Sequence, residues 1–298
     1  MNPNPVLKRL GFADDDRVVI LHADDVGMCQ ASLTAFAELV DFGLISSGAV
    51  MVPCPWFPAV VAYCQKHPGV DLGVHLTLTS EWDAYRWGPI STRDPASGLL
   101  DAEGYFHHRS EEAQESGDPA AVQAELEAQV GRALAAGIDV SHIDTHMGTV
   151  AHPKFMAGYV QLALQHRLPA MIPRLDEAGW HEMGMEDEMA ALAAQFVAQM
   201  EAQGMPLLDG LVGLPLEEEP GDRLAVAKEE LGALPPGLTH FIFHPAVDTP
   251  ELRAITPRWR SRVADYETFR SEELRAWMRD EGLHVVGYRA LRALLREA

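Results

Sequence analysis

Cysteine is scarce in this chain, and basic residues are outnumbered. The three cysteines, Cys29, Cys54 and Cys64, are an odd number with no C-x-x-C spacing. They read as reduced thiols of a cytosolic protein rather than as metal ligands. Lys and Arg total 23 against 44 Asp and Glu, a formal net charge of −21. Phosphate backbones would be repelled, which sets general nucleic-acid binding aside. The acidity is spread along the chain, so it reads as solvated surface. No apolar run reaches the length of a membrane span. Met1–Leu10 lacks the apolar stretch of a secretory leader. A cytoplasmic location without a membrane partner is the expectation. Repeats and low-complexity tracts are absent as well.

Apolar residues make up 47% of the 298 positions, enough for a sizeable core. Short Val/Ile/Leu-rich runs alternate with segments of helical period. The runs are Val18–Ala23, Ser47–Val52, Asp71–Leu78, Ser141–Met147, Ala170–Leu175, a weaker Leu207–Gly213, Thr239–His244 and His284–Tyr288. Helices are predicted over Ala31–Phe42, Phe57–Lys66, Pro119–Ala136, Lys154–His166, Glu186–Ala202, Arg223–Ala233 and Ser271–Arg279. Sustained alternation implies a parallel sheet with crossover helices. The expectation is α/β, one domain over residues 1–298, a distorted, TIM-like (β/α) barrel. A doubly wound sheet ranks second, because "ADDVGMCQ" after the first run is not G-x-G-x-x-G. Residues 79–117 and 247–269 exceed plain connections and are expected to form lid-like insertions.

The chemistry gathers at the carboxyl ends of the runs, where parallel α/β proteins place their sites. The first run ends in Asp24-Asp25, two like charges that are costly to bury without a cation. His75 lies in the third run. His142, Asp144 and His146 are two apart, so a strand turns all three to one face. Two imidazoles and one carboxylate make a common divalent-ion site with room for water. Asp25, His75 and His146 would supply it, with Zn, Mg, Mn and Co all compatible. An ion-bound water is acidified toward neutrality, and Asp24 stands beside it as the base. His142 and Asp144 are expected to orient His146, and His152 is a rival ligand. His244, ahead of Pro245, is expected to protonate a leaving amine or hold an oxyanion. Arg174 is expected to pair with Asp24 and keep it ionised. Trp82, Tyr85 and Trp87 are candidates for stacking on a sugar.

These motifs resemble the YdjC/ChbG family of carbohydrate deacetylases. "ADDVG" is similar to that family's "ADDFG", "GVHLTLT" to its "G-hydrophobic-H-L-x-L-T", and "SHIDTHMG" to its "T-H-L-D-S-H-x-H". "LISSGAVMV" and "FHPA" also match in order and spacing. The resemblance implies a distorted (β/α) barrel and metal-dependent removal of an N-acetyl group from a sugar by a metal-bound water. It implies ligation of one divalent ion by Asp25, His75 and His146, with Asp24 as the base. His244 and Arg174 fall on the family's late histidine and arginine. Gly148 and Val26 depart from the pattern, which bears on the substrate pocket. The partner expected is a small acetylated carbohydrate. Two other readings compete: a metal-dependent phosphoesterase on a similar barrel, and a non-catalytic carbohydrate-binding protein. Apolar positions within Met185–Met200 are expected mainly to pack into the core, with a homodimer interface as the lesser alternative.

Overall fold

The computed structural model describes residues 3–297. Its elements alternate along the chain. They are α1 (Pro5–Leu10), β1 (Arg17–Val26), α2 (Gln30–Phe42), β2 (Ser47–Val50), α3 (Phe57–Lys66) and β3 (Leu72–Leu76). Then come α4 (Ser110–Ser116), α5 (Pro119–Ala135), β4 (Ile143–Thr145), α6 (Pro153–His166), α7 (Glu177–Glu182) and α8 (Asp187–Ala202). The last are β5 (Gly210–Gly213), α9 (Arg223–Gly232), β6 (Gly237–Phe243), α10 (Pro250–Ile255), α11 (Trp259–Phe269), α12 (Glu272–Asp280), β7 (Leu283–Val285) and α13 (Tyr288–Glu297).

All strand pairs are parallel, in the order β4-β3-β2-β1-β6-β5, with β7 beside the first residues of β1. The expected fifth strand, Ala170–Leu175, is reduced to two isolated bridges, Ile143↔Ala170 and Pro173↔Leu208. Pro169 and Pro173 lack the N–H groups a regular ladder needs. The remaining groups still bond both neighbours. Met171 N–H donates to the Ile143 carbonyl, and Leu208 N–H to that of Ile172. The sheet is therefore curled and linked at its outer strands, the connectivity of a distorted barrel.

Alternation along β1 builds the interior in layers. Val19, Leu21 and Ala23 join the large core under the surrounding helices. Val18 and Ile20 face a second apolar cluster with Leu208, Leu238, Tyr288 and Leu291, which Val6 and Leu7 of α1 complete. His22 and Asp24 follow on that same face. Neither α1 nor α13 is among the helices predicted from sequence. Both pack onto this inner floor.

The two long segments are folded. Residues 79–117 carry a Thr79↔His107 bridge, a 3₁₀ turn at Pro95–Ser97 and α4. Residues 247–269 form α10 and α11. Along α8, Ala190, Val197 and Met200 face inward, whereas Met189, Leu192 and Phe196 lie exposed. Among the described residues, no helix is long and apolar enough to cross a membrane.

One irregularity sets up the site. β1 pairs His22↔Ser47 and Ala23↔Gly48 with β2, then resumes at Val26↔Val50. Three steps on β1 oppose two on β2, so Asp24 and Asp25 sit in a bulge. Asp25 has φ +60 and Gly27 φ +80. A Cβ on Gly27 would lie 2.7 Å from Val60 Cγ2. Gly27→Ala thus adds a left-handed backbone cost of ~1–2 kcal/mol to an overpacking cost of ~1–3 kcal/mol. The expected outcome is a lower denaturant midpoint at unchanged m-value. A midpoint equal to the wild type would contradict the double constraint.

Candidate active site

Regular alternation would send Asp24 and Asp25 to opposite faces of β1. The bulge and the left-handed Asp25 instead bring both carboxylates to the strand's carboxyl end, both buried. A left-handed aspartate is tolerated more readily than most side chains, yet it is still a local strain.

Asp25 divides its oxygens. Oδ2 accepts a hydrogen bond from Arg262 Nη1 at 2.7 Å. Oδ1 is buried with no hydrogen-bond partner among the described residues. It lies 3.1 Å from His146 Nδ1 and 3.4 Å from His75 Nε2, and those two nitrogens are 3.3 Å apart. Each ring's remaining nitrogen meets a carboxylate. His75 Nδ1 is 2.9 Å from Asp144 Oδ1, and His146 Nε2 is 3.1 Å from Glu81 Oε2. Carboxylates accept only, so those nitrogens carry the protons when the rings are neutral. Two lone pairs then converge on Asp25 Oδ1.

The donor set fits a divalent ion. Three ligands about 2.0–2.1 Å from one ion at tetrahedral angles stand ~3.3 Å from one another. The outer carboxylates on both imidazoles are the usual support for metal-binding histidines. The charge balance agrees. Burial favours the neutral rings, but Glu81 and Asp25 overcome it and push His146 up to about 9. His75 is likewise raised against burial by Asp144 and Asp24. The surrounding carboxylates draw positive charge onto this spot.

Asp24 borders the same cluster. Its Oδ1 is 2.7 Å from His22 Nδ1, while Oδ2 lies 3.7 Å from His75 Nε2 and 3.9 Å from His244 Nε2. Burial alone would raise this carboxyl, yet His75, His22 and His244 together hold it well below the usual carboxylate range. Burial pulls the His244 ring, directly after β6, below the usual imidazole range, against the pull of Asp25 and Asp24. Its backbone N–H donates to Asp265 Oδ2 at 2.8 Å, and Asp265 Oδ1 accepts from Arg223 Nε at 2.6 Å.

Residues 18–280 match the profile of the YdjC-like protein family. This chain belongs to that family. A carbohydrate deacetylase of Thermus thermophilus is 35% identical over 290 residues, which cover 97% of this chain and 99% of the relative. A carbohydrate deacetylase of Brevibacillus brevis is 33% identical over 157 residues, 53% of this chain and 60% of the relative. A crystal structure from Enterococcus faecalis V583, assigned to cellobiose-phosphate cleavage, superposes with a TM-score of 0.75 at 20% identity. It covers 93% of this chain and 99% of its own, a likeness of fold.

Within this YdjC-like chain, Arg174 is not at the acid pair. Its guanidinium pairs with Glu201 and lies 3.6 Å from Asp209 Oδ1. Asp209 also accepts from the Leu238 N–H, at the opposite end of β6 from His244. The strand that carries Arg174 is displaced by its prolines, and two nearer acids compete for the cation. The cation beside the acid pair is Arg262, on α11. Asp144 serves His75 rather than His146, and His142 meets His22. His152 caps α6, its Nδ1 accepting from Lys154 N–H, and takes no part in the set. Trp87 is buried with its indole N–H on the Thr79 carbonyl, and the Tyr85 hydroxyl donates to the Met28 carbonyl. Trp82 is linked to the acid pair through Arg262, whose guanidinium lies 5.8 Å from its ring centroid.

Sequence reasoning missed Glu81, Arg262, His22 and Asp265. His22 had a signal, since it stands two residues before Asp24 and so shares its face. Arg262 had none, because α11 comes more than two hundred positions after Asp25. Removing Arg262 leaves a buried carboxylate without its partner, at a cost of about 3–5 kcal/mol. Arg262→Met is expected to lower the melting temperature, and a divalent ion is expected to recover part of the loss. An unchanged melting temperature without the ion would contradict the role given to this pair.

Proposed function

We propose that this protein is a metal-dependent carbohydrate deacetylase that hydrolyses the N-acetyl group of a small acetylated sugar. The observation that carries the reading is the convergence of Asp25 Oδ1, His75 Nε2 and His146 Nδ1 within 3.4 Å, with Asp24 Oδ2 beside them. The 35% identity to a carbohydrate deacetylase over nearly the whole chain supports the substrate class.

Asp25, His75 and His146 would hold one divalent ion. Such an ion acidifies water and polarises an amide carbonyl. The chain's own residues do the rest. Asp24 stays ionised at neutral pH and takes a proton at Oδ2, the oxygen turned toward His75 and His244. His244 Nε2, 3.9 Å from that oxygen, would donate a hydrogen bond to the developing oxyanion or relay the proton collected by Asp24 to the departing amine. Asp265, bonded to the His244 backbone and anchored by Arg223, fixes where that ring sits. Trp82, half-buried beside Arg262, would be the ring nearest to hand for stacking on a sugar.

Purified protein supplied with Zn, Mg, Mn or Co is expected to release acetate from N-acetylglucosamine oligomers. No release across a broad panel of acetylated sugars would sink the reading. The two acids separate by phenotype. Asp25→Ala is expected to lose metal affinity in a direct binding measurement. Asp24→Asn is expected to retain the metal while kcat falls ~10²- to 10⁴-fold. Equal loss of metal in both variants would contradict the division of labour.

A further inference from the structure

Beneath Asp24 the inner face carries a layer of buried rings that the proposed reaction does not use. His22 Nε2 lies 2.8 Å from His142 Nε2, and His142 Nδ1 lies 2.8 Å from Ser141 Oγ. His142 stacks on Tyr288 with ring centroids 3.8 Å apart, and His22 sits 4.5 Å from His240. His240 Nδ1 in turn meets the Tyr288 hydroxyl at 2.7 Å. The rings of His22, His142, His240 and Tyr288 are all buried completely. A Cβ on Gly73 would fall 2.4 Å from His142 Cε1, so the backbone of β3 closes over this ring.

The proton positions follow from the partners. An ionised carboxylate accepts and cannot donate, so His22 Nδ1 carries the proton it shares with Asp24 Oδ1. One proton lies between the two facing Nε2 atoms, whichever ring supplies it. His22 is thus bonded at both nitrogens, fully buried, and enclosed by His240, His142 and Tyr288. It has no rotamer in which to follow Asp24 if that carboxylate moves.

We infer that His22 is a positioning residue: it clamps Asp24 Oδ1 from below and leaves Oδ2 as the single oxygen presented to the reacting water. A free aspartate beside a cation would swing to bind it. The 2.7 Å bond from His22 prevents that and keeps Asp24 out of the ligand set. This deepens the deacetylase reading and rests on it.

The same layer admits another occupant. His22, Asp24, Asp144 and His240 offer four donor atoms within 4.8 Å. Asp144 Oδ2 and His240 Nε2 have no hydrogen-bond partner among the described residues. A second cation there would require His22 to release one of its two bonds, so the clamp and a second ion exclude each other.

The test has two arms on the full chain loaded with one divalent ion. In the first, ¹⁵N shifts of the histidine rings are measured. A protonated Nδ1 at His22 is expected. An unprotonated Nδ1, or two metal equivalents per chain that fall to one in His240→Leu, would overturn the clamp. In the second, His22→Leu removes the donor, and His22→Asn puts an amide N–H where Nδ1–H stood. His22→Leu is expected to lower kcat ~10- to 100-fold with KM and metal affinity unchanged, and His22→Asn to restore most of it. Equal losses in the two variants would overturn the proposal. If the wild type releases no acetate, the deacetylase reading fails while the ring shifts still judge the clamp.

Discussion

Two adjacent carboxylates buried at the end of β1 dominate the physics of this protein. Neither could remain ionised in an apolar setting, and together they repel. The fold answers with an asymmetric set of partners. Asp25 receives Arg262 on one oxygen and two imidazoles on the other. Asp24 receives His22 on one oxygen and faces His75 and His244 with the other. The elements that supply these groups are β1, β3, the turn after β4, the end of β6 and α11. The acid pair therefore ties together most of the sheet and a late helix. Each of the four imidazoles is itself held by a second group: Asp144 on His75, Glu81 on His146, Asp265 on His244 and His142 on His22.

The interior is graded along the strand axis. Val18, Ile20 and Leu238 form a dry floor closed by α1 and α13. The next layer holds imidazoles and a phenol that bond to one another, to Ser141 and, through His22, to Asp24. The carboxylates and ring nitrogens at the mouth come last. Such an ordering lets buried polar groups be satisfied from within, as a low-dielectric interior demands. It also confines water to one end. The grading follows from the period-2 reading of one strand, Val18-Ile20-His22-Asp24, in which every second residue becomes more polar toward the carboxyl end.

What the sequence made legible was local. Alternation in "SHIDTHM" put His142, Asp144 and His146 on one face, and the apolar runs put their carboxyl ends together. These are properties of neighbours along the chain, which a fixed strand geometry converts into direction. The cation for the acid pair was not legible. Arg174 and Arg262 are both arginines in plausible places, and only packing decides between them. Prolines 169 and 173 break the ladder around Arg174, and Glu201 and Asp209 take its charge. The assignment of Asp144 failed for a similar reason. It was expected to serve the histidine two residues away on its own strand, yet β4 pairs His75 opposite Asp144, and the cross-strand neighbour is the nearer one.

The bulge at Ala23–Val26 explains how one strand end can hold two carboxylates with different environments. On a regular strand, Asp24 and Asp25 would face opposite sides of the sheet, and one of them would enter the apolar core under the helices. That placement would leave a carboxylate in contact with residues such as Val50 and Val60, a cost far above that of one left-handed residue. The strain at Asp25 is the lesser cost, and Gly27 returns the chain to α2 in the space left by Val60. With Asp25 turned inward, both carboxylates approach His75 Nε2, while Arg262 pairs with Asp25 and His22 with Asp24. The local backbone irregularity and the split in chemical environment are one feature, and the layers above and below the acid pair are arranged around it.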